Sequence, residues 1–117
     1  MSSTSRKLAS FAKLYELHAD MCKVFSHPLR LMILNILRVA EKSVAEIAEA
    51  LKIPFGTISP HLLMMKRRRV LVSRRDGNQI FYRIANPKIL KAFDLIQKIL
   101  CEHMEEESQL VHDARRK

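Results

Sequence analysis

Residues 43–69 read SVAEIAEALKIPFGTISPHLLMMKRRR, and the fold turns on how this stretch divides. Ser43-Val44-Ala45-Glu46 has the form of a capping box: the serine hydroxyl accepts the amide proton of Glu46, and the glutamate reaches back. The helix it starts carries Val44, Ile47, Ala48 and Leu51 on one face. Lys52-Ile53-Pro54-Phe55-Gly56 makes a short turn, after which Ile58, Leu62 and Met65 give the next helix its buried stripe. Two short helices joined by a tight turn are the signature of a helix-turn-helix.

Past Arg69 the period changes to two. Val70 to Arg74, an Asp76-Gly77 turn and Ile80 to Ile84 predict a β-hairpin, a wing beside the second helix. Asn86-Pro87 caps a last helix whose stripe is Ile89, Phe93, Ile96 and Leu100, with Leu90, Leu95 and Ile99 off it. Apolar residues on more than one side predict two partners for that helix, its own core and a second subunit. Toward the N-terminus, Phe11, Tyr15, His18, Cys22 and Phe25, flanked by Leu14 and Met21, repeat at helical spacing. Ser26-His27-Pro28 ends that helix and starts another, whose body from Leu29 to Leu37 is apolar nearly all round and belongs in the core.

The expected architecture is mainly α with a small β-hairpin: a winged helix-turn-helix of five helices and a two-stranded wing, dimerising through its first and last helices. A flexible tail over 1–9, one DNA-binding and dimerisation domain over 10–110 and a basic tail over 111–117 complete the division. A chain of 117 residues, 48% apolar, can bury one core and has no room for a catalytic domain. With 21 Lys and Arg against 12 Asp and Glu, the net charge of +9 favours a polyanionic partner. No apolar run reaches the roughly 20 residues of a spanning helix, and the start MSSTSRK is no secretory signal, so a cytoplasmic protein without a membrane partner is expected.

Ser26-His27-Pro28-Leu29-Arg30, Val44-Ala45-Glu46-Ile47-Ala48 and Ile58-Ser59-Pro60-His61-Leu62 together resemble the ArsR-type (ArsR/SmtB) repressors, without a gap from about Met21 to Ile84. The resemblance implies a homodimer held by its first and last helices, with recognition helices in successive major grooves of a double-stranded operator and release of DNA when an inducer binds. Two positions depart from the family pattern. Pro60 stands inside the recognition helix, where it lacks the donor for the carbonyl of Gly56, whose missing side chain relieves the crowding. Arg69 stands where relatives carry glycine, so it adopts a left-handed conformation at a cost of roughly 1 kcal/mol or reshapes the turn.

For DNA, short polar groups early on the recognition helix suit base edges and basic groups later suit phosphates. Thr57, Ser59 and His61 fit the first need, with Phe55 and Pro60 against thymine methyls, and Lys66, Arg67 and Arg68 fit the second. In the wing, Arg74, Arg75, Asn78 and Gln79 bracket the turn and would lie along backbone or minor groove. The bland readings are that Thr57 and Ser59 only cap the helix and that the basic run is a solvated face. A basic module binding an acidic protein or membrane surface is the alternative outside DNA. Positive charge gathered in one helix end and a hairpin suits it less well. No nucleophile–base constellation is present, since Ser59 and His61 diverge around a helix, and an enzyme is not expected.

Control of binding points to Cys22 and Cys101. Cys22 on the buried stripe has the ordinary reading of a small core hydrophobe. Cys101 lies beside the stripe of the last helix, and the resemblance puts it at the last-helix cysteine of the persulfide-sensing branch, whose partner position is Asn35 here. A small sulfur compound or oxidant is the inducer this suggests. A metal reading begins from His18 and Cys22 at i and i+4, with Cys101 as third ligand. It is not favoured, because Ser43-Val44-Ala45-Glu46 replaces the family's cysteine pair and Asn86 and Lys88 replace ligands of its last helix. No cofactor is expected.

Overall fold

The computed structural model describes residues 3–115, which form two compact units divided between Ala85 and Asn86. In the first unit, α1 (Ser3–Cys22) leads through a 3-10 turn (Lys23–Ser26) to α2 (Pro28–Leu37), β1 (Lys42–Ser43), α3 (Val44–Leu51), α4 (Phe55–Arg67), β2 (Leu71–Asp76) and β3 (Gln79–Ile84). The second unit is α5 (Lys88–Arg115) with its lead-in. The tail expected over 1–9 is helical from Ser3, and residues 111–115 continue α5. Neither segment holds a Gly or Pro to stop a helix already nucleated beside it. Met1, Ser2, Arg116 and Lys117 lie outside the described residues.

Local chemistry explains the element ends. His27 caps α2 by accepting the amide proton of Leu29 on Nδ1 at 3.1 Å, with Pro28 in the first turn. The capping box forms as read: Glu46 N donates to Ser43 Oγ at 3.1 Å and Ser43 N donates to Glu46 Oε1 at 3.0 Å. The same hydrogen bond from the Ser43 amide holds the Glu46 carboxyl below its ordinary pKa. Lys52 closes α3 in the left-handed region with φ 57°. The carbonyl of Pro54 then accepts from Thr57 N and Ile58 N to open α4.

The core consists of Val24, Leu29, Ile33, Leu34 and Leu37 with Val44, Ile47, Ile58, Leu62, Met65, Val70, Leu71 and Tyr82. Every residue of the expected α4 stripe is fully buried. By contrast α1 buries nothing, and Leu8, Phe11, Leu14, Tyr15 and Leu17 are each at least half exposed. Its stripe therefore forms but is exposed, and Cys22, expected on a buried face, is exposed as well. Phe25 belongs to the 3-10 turn and not to the α1 stripe. Along α5 only Phe93 is buried, and Leu95, Ile96, Ile99, Leu100, Met104, Leu110 and Val111 face solvent. No helix among the described residues is long and apolar enough to cross a membrane.

The wing is one strand richer than expected. Its order is β1-β3-β2, with Lys42 opposite Tyr82 and Ser43 opposite Phe81, so the residue that caps α3 also adds a strand. The hairpin turn is Gly77-Asn78 and not Asp76-Gly77, because Asp76 pairs with Gln79 as the last strand residue. Of the two turn residues only Gly77 has positive φ, 62°, which suits a turn that needs glycine first.

Candidate DNA-binding surface

α4 turns its unburied side to solvent in two parts. Phe55, Gly56, Thr57, Pro60 and Leu63 are exposed along its first three turns, and Lys66 and Arg67 follow at its end. Ser59 is half-buried on the flank. Pro60 lies within an unbroken helix. A Cβ built on Gly56 would meet nothing within 4 Å, so the proline does not require glycine there. Beside the start of α4, Phe55 with Ser43, Val44, Ala45, Asn78, Gln79 and Ile80 encloses a cavity of about 190 Å³ under the wing. Arg75, Asn78 and Gln79 are exposed at the wing tip, where Arg75 Nε donates to the carbonyl of Gly77 at 3.3 Å.

Three residues read as DNA contacts are engaged elsewhere. His61 lies half-buried against α2, its ring 4.6 Å from that of His27 and its Nδ1 3.5 Å from Arg30 Nη1. Arg30 is itself held by carbonyls, donating from Nε to Val24 at 3.1 Å and from Nη2 to Lys23 at 2.9 Å. Burial, then the nearby His27 and Arg30, push the His61 imidazole below its ordinary pKa. It braces α4 from behind. Arg68 donates to the carbonyl of Asp20 at 3.2 Å and pairs with its carboxylate, tying the end of α4 to the end of α1. That pairing lowers the Asp20 pKa.

Arg74 pairs with Glu41, donating from Nε at 2.8 Å and also from Nη2, and its guanidinium stacks 4.5 Å above the ring of Phe81. Its hydrogen bonds to Glu41 lower that carboxyl's pKa. Glu41 and Asp20 were not singled out by the sequence, and Arg30 entered only as the end of the Ser26–Arg30 motif, with no role of its own. Their partners lie 33, 48 and 31 residues away, a separation no local pattern encodes. Arg69 takes the left-handed option with φ 64° and closes α4 as its amide donates to Lys66 O.

Residues 27–71, which span the two helices and turn of this surface, match the family model "Bacterial regulatory protein, arsR family". The HTH-type transcriptional regulator Rv0081 of Mycobacterium tuberculosis is 31% identical over 87% of this chain and 90% of its own length. The chain belongs to the arsR family. The transcriptional repressor PagR of Bacillus anthracis is 39% identical over 69% of this chain and 82% of its own. Among solved structures, the homodimeric winged helix-turn-helix DNA-binding domain of Mb0332 from Mycobacterium bovis superposes with a TM-score of 0.74 at 33% identity, covering 81% of this chain and 88% of that one. This arsR-family chain is accordingly a winged helix-turn-helix transcriptional regulator and not an enzyme.

His18, Cys22 and Cys101 are all exposed, both cysteines are free, and no group of three His, Cys, Asp or Glu side chains that could hold a metal ion occurs among the described residues.

Proposed function

We propose that this chain is a cytoplasmic homodimeric repressor that binds an operator through the exposed side of α4 and the wing tip, and is released when Cys22 and Cys101 are modified. One observation carries the DNA reading: Thr57, Pro60, Lys66 and Arg67 share the solvent side of a helix whose opposite side is fully buried, with Arg75, Asn78 and Gln79 exposed on the wing tip. The rigid helix presents short groups for base edges, and the cations supply phosphate contacts. Ser59 and Phe55 flank this reading side. His61, Arg68 and Arg74 support the surface and do not read bases. The repressor activity of PagR and the homodimer of Mb0332 favour the same assignment here. For release, both thiols are exposed and so open to a persulfide or oxidant.

The test is binding to duplexes selected from a random pool, followed by fluorescence anisotropy across salt. Arg67→Ala and Arg75→Ala each weaken binding and reduce the salt slope by about one, while Arg115→Ala changes neither. Thr57→Ala alters which sequences are selected. Equal behaviour of all four variants would remove α4 and the wing from the reading. Persulfide or tetrathionate treatment weakens operator binding of the native chain, and Cys22→Ser with Cys101→Ser abolishes the response. A response surviving in the double variant rules out thiol control.

A further inference from the structure

A second cavity, of about 180 Å³, lies between the end of α1 and the end of α4 and shares Arg67 with the surface described above. Leu17, Met21 and Asp20 line it from α1, and Arg67, Arg68 and Arg69 from α4 and its cap. Ligand pockets for drug-sized molecules run to about 300–1,000 Å³, so an occupant here is small. The lining joins apolar side chains to guanidinium groups. Of the three arginines, only Arg68 has its charge answered, by Asp20. Among the described residues the side chains of Arg67 and Arg69 make no ion pair.

Arg69 adds an independent observation. It sits at φ 64°, where a non-glycine residue costs about 1 kcal/mol or more, and this strained residue is one that lines the cavity. Glycine would end α4 with less strain, but it would leave the cavity without that cation.

We propose that this cavity binds a short-chain aliphatic carboxylate. The carboxylate accepts paired hydrogen bonds from the Arg67 and Arg69 guanidinium groups, and the alkyl chain lies on Leu17 and Met21. Charge and tail are both needed: an alcohol of the same length leaves the guanidinium groups unanswered, and an inorganic anion leaves the apolar wall wet. Binding is read on the protein without DNA, so its outcome is separate from whether α4 reads an operator.

The experiment titrates the full chain with hexanoate, hexanol and sulfate, following calorimetry and the thermal midpoint. Hexanoate gives a saturable heat and raises the midpoint, whereas hexanol and sulfate at equal concentration do not. Arg69→Gly, which relieves the backbone, stays folded with a higher midpoint and binds hexanoate about tenfold more weakly, the loss expected for one charged hydrogen-bond donor. Arg67→Gln lowers affinity similarly. The proposal is overturned by a non-saturable hexanoate response, by hexanol or sulfate matching hexanoate, or by undiminished affinity in Arg69→Gly.

Discussion

α4 and α1 carry apolar stripes written in the same helical period, yet one is sealed and the other bare. Ile58, Leu62 and Met65 have no exposed surface, whereas Phe11, Leu14 and Tyr15 are more than half exposed. α5 resembles α1 in this respect, with Leu95 and Leu100 in solvent. The difference separates two tasks. The helix-turn-helix closes its core within its own unit and holds the exposed side of α4 rigid, while α1 and α5 each present an apolar stripe of the kind that a second protein covers. The relative Mb0332 is a homodimer.

The sealed side should respond most strongly. Leu62→Ala removes a fully buried side chain and is expected to cost about 2–5 kcal/mol in denaturant unfolding. A loss below 1 kcal/mol, or one equal to that of Leu8→Ala, would mean that α4 is not anchored as described. On the bare faces, Leu14→Asp with Ile96→Asp should convert dimer to monomer in sedimentation, weakening association by about 2 kcal/mol per anchor or roughly thirtyfold each. Far-ultraviolet dichroism should stay helical. Persistence of a dimer would move the interface elsewhere.

Smaller effects test how the sealed side is set. Ser43→Ala breaks the capping box and should cost about 1 kcal/mol, measured by the urea midpoint. Because Ser43 also pairs with Phe81, the loss should be accompanied by faster amide exchange in β3. The smallest effect concerns His61. Its folded pKa lies below the ordinary histidine value of 6.5, so the neutral ring is the form the fold favours. Its contribution is therefore complete above pH 6.5 and is lost as the pH falls through 6.5 toward the lower folded value. Comparing His61→Gln with the native chain, unfolding free energy should lose a pH slope of no more than about one proton in that window. An unchanged slope would detach His61 from the α2 contact.

How far each region was legible follows from the range of its interactions. The α4 stripe, the Ser43–Glu46 box, the Asn86 cap on Lys88 and the choice forced at Arg69 were all readable. The hairpin was readable except for its turn, one residue late, because both Asp76-Gly77 and Gly77-Asn78 place a glycine where a tight turn can use it. β1 was not readable, being two residues that gain strand character only from β3. Nor was it readable that His61, Arg68 and Arg74 have partners of their own, since a basic or polar residue on a helix or hairpin looks the same whether it waits for phosphate or is already paired.

The sequence by itself determined where α2, α3 and α5 start, which side of α4 is apolar and that a hairpin follows it, because caps, periodicity and glycine act over about four residues. Only the tertiary structure decided which charges are already paired and which apolar stripes find cover. Arg74 meets Glu41 and Arg68 meets Asp20 across sequence separations of 33 and 48 residues, and no residue of α1 is buried although its end is tied to α4. Such pairings are set by how whole elements pack, and packing is a property of the folded chain that no short stretch contains.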